Sequence, residues 1–178
     1  NYLKEKYDIP IVGVLESSIN AAIAQTTSNH IAVLGTHTTI ASHSYKNRII
    51  SISDNITVNE IECPLFVPIV EEGLENTKIA LFAAQLYLDN INNCNVDTVI
   101  LGCTHYPILI NIINKIIHSN IHIIDTGLSV SGDINHLVSS PDISNDDRYY
   151  VTDIPYRFNT LASKFLKYTI NKIEHVRL

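Results

Sequence analysis

An α/β fold, with a parallel sheet flanked by helices, is what this sequence predicts, and three observations predict it. Short apolar runs alternate with amphipathic stretches along most of the chain. Several of those runs are unbroken Val, Ile and Leu, the pattern of strands covered on both faces. Two runs end in a glycine followed at once by polar, reactive side chains, at Gly35-Thr36 and at Gly102-Cys103-Thr104-His105. Parallel sheets bind ligands outside the carboxyl ends of their strands, so those two ends are where function is expected.

Taken in order, Asn1 to Tyr7 reads as the last turns of a helix. Ile9 to Leu15 reads as a first strand. Ser17 or Ser18 then caps a helix with Ile19, Ala22 and Ile23 as its apolar stripe. His30 to Leu34 is a second strand, and Thr36 or Thr39 starts a helix that runs to about Tyr45. Arg48 to Ile52 reads as a third strand. From Cys63 to Gly73, two prolines forbid one regular helix and Gly73 ends any short one. Thr77 to about Ile91 is a helix with Ile79, Phe82, Ala83, Leu86 and Tyr87 on its inward face.

Thr98 to Leu101 is the central strand, and Pro107 opens a helix over about Ile108 to Ile117. His122 to Ile124 is a short strand, and Ser129 to Val138 a helix. Residues 139–147 are polar, include Pro141, and read as a surface loop. Arg148 to Val151 is a strand, Arg157 to Tyr168 a helix with Phe158, Leu161, Phe165 and Leu166 inward, and Glu174 to Leu178 a last strand. No internal repeat or low-complexity tract interrupts this order.

Composition narrows the function. Of 178 residues, 46% are hydrophobic and 17% charged, which describes a globular protein rather than a disordered one. The formal charge of -6 argues against nucleic acid as a partner, because phosphate binders carry a basic face. No apolar run is long enough to cross a membrane and no signal segment opens the chain, so no membrane partner is expected. The 3 cysteines are odd in number and scattered, which suits a reducing, cytoplasmic setting better than a disulfide framework. The chain contains no Met, and a domain seldom begins on the last turns of a helix. A preceding part of the natural protein is therefore expected, with a cleaved natural terminus as the alternative.

The chemistry concentrates at Cys103, Thr104 and His105. Cys103 alone could be a small apolar filler. A hydroxyl and a titratable ring within two residues make it a candidate proton acceptor, since a reactive thiol needs a partner and a positive field. The amides opening the next helix are expected to hold an anion and to lower the thiol's pKa. Zinc is disfavoured: Cys-Thr-His supplies at most two ligands, and no Cys-x-x-Cys or His-x-x-x-His pair accompanies it. Cys63 and Cys94 read as structural. Thr36 is a strand-end hydroxyl or a donor to a ligand carboxylate, and Glu71 a solvated charge or a site acid.

These stretches also carry a resemblance. Leu101-Gly102-Cys103-Thr104-His105-Tyr106-Pro107-Ile108-Leu109 resembles, almost residue for residue, the second cysteine motif of the cofactor-independent glutamate racemases. The run from Cys63 to Gly73 resembles that family's Cys-Pro-x-Phe-Val-Pro-Leu-Val-Glu segment, and Gly35 to Ile40 its Gly-Thr-x-Gly/Ala-Thr-Ile loop. Ile9 to Leu15 is similar to the strand that opens its second domain. Tyr150-Val151-Thr152-Asp153 with Phe158, Phe165 and Leu166 is similar to its final strand and helix. Thr38 stands where Gly or Ala is common, and Glu16-Ser17-Ser18 replaces a more usual Pro-Gly turn.

The resemblance implies an Asp/Glu racemase-like fold, one complete domain plus the C-terminal part of another. Residues 1–124 would be the second domain and 125–178 the segment that completes the first. It implies a two-cysteine exchange of the α-proton between L- and D-glutamate, without cofactor or metal, supplying D-glutamate for peptidoglycan and hence cell shape. Cys103 would be the acid/base of this half, on the L-isomer's proton. Thr104 and His105 would bind the substrate's carboxylate or amino group, with His105 assisting Cys103, Glu71 orienting or polarising, and Thr36 on the substrate side. The Asp-Ser and Cys-Asn-Thr motifs of the other half-site do not occur here, so this chain is expected to be inactive alone. An aspartate or other acidic amino-acid racemase is the near alternative, and a non-catalytic remnant that binds an amino acid or a partner is the distant one. The assembly, including a homodimer, is left open.

Overall fold

Four parallel strands organise the chain in its computed structural model, which describes residues 2–135, 137, 148–152, 154–170 and 172–177. The elements run α1 (Tyr2–Lys6), α2 (Val14–Gln25), β1 (His30–Gly35), α3 (His37–Ala41), α4 (Ser44–Ile52), β2 (Thr57–Glu62) and α5 (Phe66–Glu71). There follow α6 (Lys78–Leu88), β3 (Thr98–Leu101), α7 (Ile110–Ile116), β4 (His122–Asp125), α8 (Thr126–Ile134), β5 (Tyr149–Val151), α9 (Pro155–Leu166) and β6 (Ile173–His175). Short 3-10 turns at Ile91–Asn93 and Tyr106–Leu109 precede β3 and α7.

The sheet order is β2-β1-β3-β4. β1 and β3 lie at its centre, and Ile31, Ala32, Val33, Leu34, Val99, Ile100 and Leu101 are fully buried. Covering each large side chain contributes about 1.5–3 kcal/mol. Alternate residues face opposite sides. On one side Ile31, Val33 and Ile100 join Ile19 and Ala22 of α2, Tyr45 and Ile49 of α4, and Val58 of β2 in a single cluster. α2 packs against β3, β4 and α8. α5, α6 and α7 supply further buried side chains, among them Phe66, Ala83 and Ile113, and α6 packs on both α5 and α7.

Several expectations change here. Residues 9–13 form no strand, and Ile9 and Val12 lie exposed with no ladder partner among the described residues. α2 starts at Val14 with Gly13 at its N-cap, not Ser17 or Ser18. Those two serines are inside the helix and donate back to the carbonyls of Gly13, Val14 and Leu15. Arg48 to Ile52 is helix rather than strand, because Tyr45 and Ile49, one turn apart, turn inward together. The strand that follows β1 is instead β2, an edge strand with only Val58 and Ile61 apolar. α5 is a short helix ended by Gly73 at φ 75, with Leu74 N–H donating to the Ile69 carbonyl.

α6 is turned relative to expectation. Its buried residues are Ala80, Ala83, Ala84 and Leu88, while Ile79, Phe82 and Leu86 are exposed. The sequence KIALFAAQLYL carries two apolar stripes, and the alanine-rich one allows the closer approach to neighbouring elements.

Asn1–Val138 forms one compact unit and Ser139–Leu178 another. β4 and α8, which packs on α2, belong to the first unit. In the second unit β5 pairs parallel with β6 and α9 packs on β6. Phe165 and Leu166, expected inward on α9, are each 39% exposed. The loop expected at residues 139–147 lies outside the described residues, as do Val138, Asp153 and Leu178 of the stretches read above.

Candidate functional site

From β1 the chain crosses to β2 on one side of the sheet and returns to β3 on the other. Strand order reverses between β1 and β3, and a crevice opens at the carboxyl ends of such a pair. Leu34 lies beside Leu101, so Gly35-Thr36 and Gly102-Cys103-Thr104 leave the sheet as neighbours. Gly102 N–H donates to the Leu34 carbonyl over 2.8 Å, and a Cβ on Gly102 would sit only 2.8 Å from that same oxygen. Glycine is needed there because the two backbones approach closely. The ring of Tyr45 closes the space beneath Gly102.

Cys103 follows Gly102 and is half-buried. Its Sγ lies 3.8 Å from Nδ1 of His105. On the far side of the ring, Nε2 of His105 lies 3.5 Å from Oε1 of Glu71, the last residue of α5. Thiol, imidazole and carboxylate thus form a chain along which a proton can pass. The spacings are longer than ordinary hydrogen bonds, as expected of a site whose contacts tighten on substrate. His105 turns toward Cys103 because the backbone winds into a 3-10 turn, in which Tyr106 N–H donates to the Cys103 carbonyl over 3.1 Å.

That turn corrects an expectation. No regular helix starts at Ile108; α7 begins only at Ile110. Burial pushes the Cys103 thiol above its ordinary pKa, and the His105 backbone N–H opposes this only in part. Burial thus works against the lowering by a helix start that the sequence implied.

The other expected residues divide. Thr104 is exposed in the turn between Cys103 and His105. Thr36 caps α3, its Oγ1 lying 3.0 Å from Thr39 Oγ1 and accepting from Thr39 N–H over 3.4 Å. It stands where β1 ends, beside the Gly102-Cys103 turn, and these hydroxyl contacts lie within α3. Cys63 is fully buried and its thiol is pushed up to about 12, which makes it inert packing. Cys94 is exposed and lines a separate depression along β2 with His43 and Glu60. Among the described residues no group of three or more His, Cys, Asp or Glu side chains is arranged to hold a metal ion. No helix among them is long and apolar enough to cross a membrane.

Two residues of the site were not singled out from sequence. Tyr45 is buried, its ring against the space beneath Gly102. Tyr106 is fully buried and its hydroxyl donates to the Cys63 carbonyl over 3.1 Å. Tyr106, three residues after Cys103, carried the available signal; Tyr45 meets Gly102 only through the fold.

Comparison with known proteins places the chain in a family. A family profile described as Asp/Glu/Hydantoin racemase matches residues 1–129. The chain is 32% identical, over 97% of its length and 69% of the relative's, to a glutamate racemase of Corynebacterium kroppenstedtii. It is 33% identical, over 96% of its length and 65% of the relative's, to one of Chlorobium phaeobacteroides. Among solved structures it is similar to a glutamate racemase of Francisella tularensis in complex with D-glutamate, at TM-score 0.82 and 32% identity, covering 96% of this chain and 65% of that one. The chain spans about two thirds of the length of these relatives.

Proposed function

We propose that this chain, which belongs to the Asp/Glu/Hydantoin racemase family, carries one half of a cofactor-independent glutamate racemase site. The observation that carries the reading is the chain from Cys103 through His105 to Glu71 at the crevice between β1 and β3. The α-proton of an amino acid is a very weak acid, so its removal needs an aligned base and a screened carbanion. Cys103 transfers the proton at one face of the α-carbon. His105 accepts the thiol's proton when Cys103 acts as base, and Glu71 holds the ring and stabilises its charged form. Thr104, exposed at the turn, and Thr36, at the neighbouring strand end, supply hydroxyls to the substrate's carboxylate and amino group.

Glutamate is the favoured substrate because the solved relative is in complex with D-glutamate. The corresponding role is supply of D-glutamate to peptidoglycan, and so to cell shape, in the cytoplasm. Among the described residues no second thiol shares the crevice, since Cys63 is buried and Cys94 lines another surface. Residues 1–124 would serve as one catalytic domain and 125–178 as part of the other.

The test compares the 178-residue chain with a full-length protein containing it. Both are assayed for D-amino-acid formation from L-glutamate and L-aspartate. The expected result is glutamate turnover by the full-length protein and none by the shorter chain. Turnover of aspartate in preference to glutamate would reassign the substrate, and turnover by the shorter chain would remove the two-thiol mechanism.

A further inference from the structure

Glu71 and His105 lie far apart in sequence, yet the proposed proton chain needs them adjacent. Glu71 closes α5, a helix of 6 residues, too short to hold its own position by local hydrogen bonding. Its start is gripped by aromatic side chains. Phe66 packs edge-on against Tyr106, with ring centroids 5.2 Å apart and planes at 89°, and against Tyr87 at 5.4 Å and 75°. The two phenols bond the backbone on either side of Pro64: Tyr106 donates to the Cys63 carbonyl over 3.1 Å, and Leu65 N–H donates to the Tyr87 hydroxyl over 3.3 Å.

Tyr106 directly follows His105. Adjacent residues of one turn therefore meet opposite ends of α5, His105 its last residue and Tyr106 the segment that leads into it. We infer that Tyr106 is a positioning residue, whose buried hydroxyl ties the Cys103–His105 turn to the base of α5 and so sets the separation of Glu71 from His105. This rests on reading Cys103 as the proton-transfer thiol. Packing alone does not require the hydroxyl, since a phenylalanine would fill the same space. The Cys63 carbonyl also accepts from Phe66 N–H over 3.1 Å, so removing the phenol oxygen leaves no orphaned acceptor.

The test reads Cys103 directly. Alkylation by iodoacetamide across about pH 7 to 11.5, followed at the Cys103 peptide by mass spectrometry, gives its titration midpoint in the whole 178-residue chain. In the Tyr106→Phe variant the midpoint moves up and the rate at neutral pH falls about threefold, half a pH unit's worth of thiolate. Glu71→Gln gives a shift in the same direction, and the double variant shifts no further than the larger single one. An unmoved midpoint in folded Tyr106→Phe, with Glu71→Gln still shifted, overturns the inference and leaves the site reading intact. Additive shifts in the double variant also overturn it. No shift in either single variant overturns the Glu71 arm of the site, and the inference with it. Where thermal melting shows Tyr106→Phe unfolded, Tyr87→Phe replaces it: a smaller upward shift supports the inference and an unmoved midpoint overturns it.

Discussion

The two ends of one sheet treat a carboxylate in opposite ways. Where β3 begins, Asp97 accepts from Thr26 Oγ1 at 2.6 Å, from the backbone N–H groups of Thr27 and Ser28 at 2.7 Å each, from Thr98 Oγ1 at 2.9 Å and from Thr27 Oγ1 at 3.0 Å. Where β3 ends, Glu71 faces His105 at 3.5 Å, and His105 faces Cys103 at 3.8 Å. The first end clasps the turn after α2 to the start of β3 with every bond already made. The second holds groups near one another and leaves the contacts loose. A satisfied charge network fixes structure, whereas a site that moves protons must tighten around its substrate. One sheet supplies both because its amino end needs only to be stable and its carboxyl end lies over the strand-order reversal.

The largest expected effect separates the ends by function. Cys103→Ser in a full-length protein should lower racemisation at least about a thousandfold, while its unfolding free energy in urea stays within about 0.5 kcal/mol of the parent. A large loss of stability would mean that the thiol is packing. The converse substitution, Asp97→Ala, should cost about 2 kcal/mol in urea unfolding, because the hydroxyls and amides of residues 26–28 lose their acceptor. Its Cys103 alkylation profile should not move; a shift would couple ends that the comparison treats as independent.

A smaller change is expected from Glu71→Gln, about a tenfold fall in kcat with little change in stability, because a 3.5 Å contact to a solvent-reached carboxylate adds little to folding. An unchanged kcat would make Glu71 a bystander. The smallest effect concerns acid. The hydrogen bonds to Asp97 outweigh its desolvation and hold its carboxyl well below the usual carboxylate range. A group depressed in the folded state contributes stability that is present above its unfolded pKa, roughly 3.9, and is lost as pH falls below that. Asp97→Asn should therefore flatten the stability loss between about pH 5 and 2; an unchanged slope would place acid sensitivity elsewhere.

Much of the β1 and β3 layout is legible in the sequence, because an unbroken apolar run followed by glycine leaves few alternatives. The segments read wrongly are amphiphilic or short. Residues 9–13 are as apolar as a strand but have no neighbour to pair with among the described residues. Arg48 to Ile52 satisfies either period, and Tyr45 and Ile49 decide for helix. β2 has four polar residues among six and so resembles a loop.

By itself the sequence determined the α/β class, the strand that ends at Leu101, and the neighbours of Cys103, since each depends on residues a few positions apart. Only the tertiary structure decided which stripe of α6 turns inward, that Glu71 reaches His105, that Tyr106 reaches Cys63, and that burial raises the Cys103 thiol rather than a helix lowering it. Those four are sums over atoms distant in the chain. Desolvation and contact depend on what closes around a side chain, and no local spacing encodes that enclosure.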